Sequence, residues 1–163
     1  MPEYPPLTLG IDPGSSGGLA FIGTGFVEVC AIPDTERDIV DAIREYAGSI
    51  KVCCIEAVHP MPKRETDSGV GGQGNIGSFK LGRSYGFLRG VIIALGIPLI
   101  EVSPQKWKND LGLRFTKEQL KTERKNASKQ LAQQWFPSIR ITHAVGEALL
   151  IGEWARRQNG WIL

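Results

Sequence analysis

Residues 7–22 read LTLGIDPGSSGGLAFI, and few folds can absorb that string. Two short apolar runs flank Asp-Pro-Gly and a Gly/Ser turn, which predicts a β-hairpin whose first strand closes on an acid, Asp12. Gly23 to Gly25 make the next break, and a third strand is expected around Phe26 to Ile32. Three antiparallel strands therefore open the chain.

From Asp34 to Ala47, Ile39, Val40, Ile43 and Ala47 recur at helical spacing among charges, with Asp34 or Thr35 as the N-cap. KVCCIE (51–56) is a short apolar run that again ends in an acid. Pro60 to Gly77, with PMPK and GVGGQG, has no period of either kind and is expected to be a long loop, its 64–77 part disordered without a ligand because glycine makes ordering costly. A helix over Ser78 to Leu95 follows, with Gly82, Gly86 and Gly90 four apart leaving a smooth stripe suited to close packing against another helix. IPLIEVS (97–103) is expected as a strand, Pro104 to Leu111 as a short helix and Lys117 to Phe136 as a longer basic helix stopped by Pro137. His143 to Gln158 makes the last helix.

At 163 residues and 42% apolar content the chain suits one domain, residues 1–163, with a sizeable core. A formal charge of +2, from 19 basic and 17 acidic residues, decides nothing about partners, so their placement has to. Cys30, Cys53 and Cys54 lie in apolar runs, an odd count without ligand-like His spacing, and are expected as reduced buried thiols. The N-terminus has no basic flank followed by an apolar stretch, and no apolar run is long enough for a bilayer. These features predict a soluble protein of a reducing, nucleic-acid-containing compartment such as the cytoplasm, without membrane partners.

Three acids occupy places where folded chains seldom put them. Asp12 and Glu56 close two strands, and Glu147 starts the last helix beside an apolar face. Singly, each has a structural explanation, since Asp before Pro-Gly forms turns and Glu near a helix start favours the dipole. Together they can converge, as hard, oxygen-seeking Mg²⁺ requires. A metal pair roughly 3.5–4 Å apart would ionise water and stabilise a leaving oxygen in phosphodiester hydrolysis. Clustered carboxylates also repel, so activity is expected to need divalent metal and to fall at acid pH.

Basic residues cluster as Lys80, Arg83 and Arg89, as Lys106 and Lys108 around Trp107, and as Lys117, Lys121, Arg124, Lys125 and Lys129. Such groups hold backbone phosphates or simply form solvated helix faces. Phe79, Tyr85 and Phe87, with His59 across the loop, are candidates to stack on or wedge between bases. Phe79, at the loop-to-helix junction, is preferred, and Phe87 reads better as core.

LTLGIDPGSSGGLA, CIEAVHPMP and SFKLGRSYGFLRGVIIALGIPLIEVSPQKWK resemble the first strand and turn, the fourth strand, and the dimer helix, strand and basic segment of the RuvC-like Holliday junction resolvases, especially phage-type and plastid forms. The resemblance covers nearly the whole chain. It implies a ribonuclease-H-like α/β fold with a mixed five-stranded sheet flanked by helices. It also implies a homodimer through helix 78–95 that nicks four-way DNA junctions symmetrically, with two Mg²⁺ or Mn²⁺ ions per site. By position, Asp12, Glu56 and Glu147 match three of four metal ligands, and Lys108, with Lys106, the basic residue near the scissile phosphate. Lys80, Arg83, Phe79, His59, Lys106, Lys108 and Lys125 are the expected DNA contacts.

At the fourth ligand the chain departs from the pattern. Members carry DHGRAEALL where this chain reads THAVGEALL, so Asp is absent at both Thr142 and Ala144, and His143 is the candidate ligand left in that turn. His143 and Glu147, four apart, share a helix face. Imidazole suits Mn²⁺ better than Mg²⁺, which predicts higher activity with Mn²⁺. Three readings stay open: a working His143, an acid replaced by Ala144 to inactivate the protein, or natural loss of cleavage with junction binding kept. Rival functions are another nuclease on the same scaffold, a non-catalytic junction-binding module, and an actin-like kinase fragment, for which the chain is too short.

Overall fold

A computed structural model describes residues 4–59, 73–116 and 118–160, without the side chains of 73–76 and 121. Its sheet is built from β1 (Leu7–Asp12), β2 (Gly18–Gly23), β3 (Phe26–Ala31), β4 (Ile50–Glu56) and β5 (Leu99–Val102), in the order β3-β2-β1-β4-β5. The first three strands are antiparallel neighbours, and β4 and β5 join β1 in parallel. This is the mixed five-stranded ribonuclease-H-like sheet expected.

Strand alternation divides the core in two. Leu7, Leu9 and Ile11 of β1, Leu19 and Phe21 of β2 and Cys53 and Ile55 of β4 pack with α1 (Glu36–Tyr46) and α2 (Gln73–Ala94). Ala20, Ile22, Cys54 and Val102 pack on the other face with α3 (Pro104–Asp110), α4 (Lys121–Trp135) and α5 (His143–Gln158). On this second face α5 lies closest, because Gly10 and Gly152 remove the side chains between helix and strand. A Cβ at Gly10 would stand 2.2 Å from the Ala148 carbonyl oxygen and 2.5 Å from the Gly152 nitrogen.

The N-cap left open between Asp34 and Thr35 is Thr35, whose hydroxyl accepts from the Asp38 N–H at 3.1 Å. Helix α2 starts at Gln73 rather than Ser78. Its glycines cost helix stability, about 1 kcal/mol each against Ala, but extending an existing helix is far easier than nucleating one. The later turns supply that anchor through buried Leu88, Val91 and Ile92. Helix α4 starts at Lys121 rather than Lys117, with the Leu120 N–H donating to Glu123 Oε2 at 2.8 Å. Strand β5 is shorter than 97–103. The loop expectation for 60–72 and residue Lys117 lie outside the described residues. Cys53 and Cys54 are buried and Cys30 half-buried, all three as free thiols. No described helix is long and apolar enough to cross a membrane.

Candidate active site

The β1–β4 register pairs Ile11 with Ile55, so Asp12 and Glu56 leave neighbouring strands at the same edge. The Gly14 N–H donates to Asp12 Oδ1 at 3.2 Å, folding the turn back onto the acid. Gly17 has no substitute in that turn, since a Cβ would stand 2.0 Å from the Asp12 carbonyl oxygen. The first turn of α5 reaches the same edge: a Cβ on Gly18, the cross-strand partner of Asp12, would stand 2.5 Å from the Ala144 carbonyl oxygen. Glu147 arrives beside Asp12 by that packing.

Asp12, His143 and Glu147 share the wall of one cleft. Thr142 lines it as well, together with Lys125, Ser128 and Lys129 of α4. Thr142 stands beside His143 on the wall, and Ala144, three residues before Glu147, has its carbonyl oxygen against Gly18.

Helix α3 supplies the remaining contacts. Ser103 caps it, and the consecutive residues Trp107 and Lys108 reach two different carboxylates. The Trp107 indole N–H, on a fully buried ring, donates to Glu56 Oε2 at 2.8 Å. Lys108 Nζ stands 3.0 Å from Glu147 Oε1 and 4.8 Å from the Trp107 ring centre. Buried Ser128 also donates to Glu147 Oε1, at 3.3 Å. Asp110 accepts from Trp154 Nε1 at 2.9 Å, tying α3 to α5.

Burial dominates the titration of both strand-end acids. Desolvation pushes Glu56 up to about 7; the Trp107 N–H and Lys108 oppose the rise, and Asp12 and Glu147 add to it. Asp12 is raised too, by burial first, with the Gly14 N–H opposing, Glu147 adding, and Lys108 and Lys125 opposing. The three acids thus feel one another's charge.

The donor set has the chemistry for a hard divalent cation: carboxylate oxygens of Asp12, Glu56 and Glu147, whose mutual repulsion a cation would relieve, with the His143 imidazole beside them. Among the described residues, however, no three His, Cys, Asp or Glu side chains stand together as a metal-holding group. One oxygen of each acid is engaged by an internal donor, from Gly14, Trp107 or Lys108.

The expected DNA contacts are dispersed. Phe79 is 71% exposed at the start of α2's described side chains, with Lys80 and Arg83 exposed nearby. Arg83 pairs with Glu36 at 2.7 Å, and Lys106 with Asp110 at 2.7 Å. Exposed pairs of this kind are worth about 0–1 kcal/mol and yield readily to a phosphate. His59 is exposed beyond β4, and Lys125 faces the cleft. Phe87 packs against the first core, as does Tyr85, whose hydroxyl donates to Glu101. Sequence reasoning passed over Trp107 and Ser128 as site residues. The signal for Trp107 was its buried N–H, which had to find an acceptor.

The architecture is that of the ribonuclease-H-like fold, and two solved structures share it over nearly their whole length. A T. thermophilus RuvC in complex with a Holliday junction substrate superposes with a TM-score of 0.58 at 15% identity, covering 95% of this chain and 96% of that one. Another Thermus thermophilus RuvC structure gives a TM-score of 0.54 at 17% identity, covering 94% and 96%. No protein-family model matches the sequence, and no curated protein sequence does.

Proposed function

We propose that the chain is a metal-dependent, structure-specific endonuclease that resolves four-way DNA junctions by paired nicks. The observation that carries this reading is the placement of Asp12 and Glu147 in one cleft with Lys125 and Lys129, on a sheet edge shared with Glu56. Asp12, Glu56 and Glu147, with His143, would hold Mg²⁺ or Mn²⁺. A bound divalent pair supplies a water ionised near neutral pH and charge stabilisation at the leaving oxygen.

The chain's own residues do the rest. Lys125 and Lys129 draw the phosphate of the strand into the cleft, and the Trp107 N–H fixes the rotamer of Glu56. Paired nicks need two sites, and α2 supports a homodimer. Gly82, Gly86 and Gly90 have nothing within 4 Å of where a Cβ would be, and Ile93, 61% exposed, continues the stripe. Phe79 lies at its other end, where it can meet unstacked bases.

A second reading, a junction-binding protein without cleavage, is favoured by the absence of an acid at Thr142, the residue of that turn that lines the cleft with His143. The deciding assay is cleavage of a four-way junction beside the matching linear duplex, with Mg²⁺ and then Mn²⁺, alongside gel shifts on both. Symmetric nicks in the junction alone, faster with Mn²⁺, are the expected result. Binding without cleavage in either metal would establish the second reading, and Thr142→Asp or Ala144→Asp would then be expected to restore nicking.

A further inference from the structure

We infer that Lys108 is the resident counter-ion of the acidic cleft, and that a divalent cation enters by displacing its ammonium from Glu147. This rests on the proposed reading of the cleft as a cation site and names what occupies it beforehand.

The ion pair is not a surface accident. Lys108 Nζ lies 3.0 Å from Glu147 Oε1, with the two side chains only 22% and 20% exposed. The helix carrying it is fixed from three directions: Trp107 holds Glu56 at 2.8 Å, Trp154 holds Asp110 at 2.9 Å, and Ser103 caps the first turn. The Trp107 ring under the ammonium, 4.8 Å to its centre, adds a cation–π attraction.

Among the described residues the acids do not stand together as a metal-holding group while this pair is in place. Glu147 Oε1 is taken by Lys108 and Ser128. An ammonium and a divalent ion cannot share that oxygen without strong repulsion in a partly desolvated site. Cation affinity is therefore held below what three carboxylates alone would give. When the cation enters, the ammonium is released at the cleft, where a phosphate is the natural new partner.

The test is Mn²⁺ binding to the DNA-free protein, read by electron paramagnetic resonance of the free ion, for wild type, Lys108→Met and Lys108→Arg. Met keeps the stem and removes the charge, whereas Arg keeps the charge. Lys108→Met is expected to bind Mn²⁺ at least about tenfold more tightly than wild type, with Lys108→Arg near wild type. Equal or weaker binding by Lys108→Met, with wild type still binding, overturns the displacement and leaves the cation site standing. No binding by any of the three at millimolar Mn²⁺ overturns both. As a check that needs no folded variant, ¹³C-methylated lysines of the wild type are titrated with Mg²⁺. The Lys108 signal is expected to shift, and a signal that stays still while the site fills overturns the displacement.

Discussion

Two sets of glycines sit in this molecule on opposite terms. Where α5 crosses the sheet, Gly10, Gly18 and Gly152 meet backbone or side-chain atoms closer than any Cβ tolerates, while on α2 Gly82, Gly86 and Gly90 meet nothing. The first set is spent on the fold: it brings the first turns of α5 onto β1 and β2, and with them Glu147 to Asp12. The second set meets no described residue and costs helix stability. Charges divide the same way. Glu56 and Glu147 are held by α3 at partly desolvated positions, and Arg83 pairs with Glu36 in open solvent.

The sharpest way to break this contrast is one substitution made on both sides. Gly10→Ala is expected to lose roughly 3 kcal/mol or more, read from urea unfolding, because two backbone segments would have to part. A loss below about 1 kcal/mol would mean that α5 rides more loosely than the contacts indicate.

Next in size is the buried charge. In the metal-free protein Glu56 titrates near 7 against an ordinary 4.5, so the folded state keeps a proton that the unfolded state has released. That stability is complete below about 4.5 and is lost as pH rises through about 7. Glu56→Gln should therefore be more stable than wild type at pH 8 by on the order of 2 kcal/mol, and much closer to it at pH 5. Parallel stability curves for the two proteins would show that Glu56 is better solvated than its burial implies. Cleavage should fall at acid pH, since a protonated Glu56 cannot hold a cation, with a midpoint below that of the metal-free protein because a bound cation favours the carboxylate.

The companion to Gly10→Ala is Gly86→Ala, expected to stabilise α2 by about 1 kcal/mol and to weaken self-association, seen by thermal melts and sedimentation. A destabilised monomer would place a hidden contact on the stripe. Smallest is Arg83→Ala, expected to change stability by no more than about 0.5 kcal/mol while lowering the salt slope of junction binding by about 1. An unchanged slope would remove Arg83 from the DNA contacts.

Part of the candidate cleft was legible in the sequence. Asp12, Glu56 and Glu147 were legible because each stands at the end of an apolar pattern, where a charge is out of register with its surroundings. His143 and Glu147 are four apart on α5, and both line the cleft with Asp12. The start of α2 was misplaced because glycine speaks for a loop locally, and the turns that anchor the helix lie ten and more residues on. Thr142 and Ala144 stood as equals in the sequence. The structure puts Thr142 on the cleft wall beside His143.

Periodicity and turn chemistry are local, so the sequence alone determined the order of elements, the opening hairpin and the strand-end acids. Which carboxylate meets which partner is not local. Trp107 and Lys108 are adjacent in the chain yet reach acids 51 residues back and 39 residues on. That choice depends on α3 lying across the edge where β4 and α5 meet, a position set by the parallel register of the sheet and by two glycines that let a helix touch a strand.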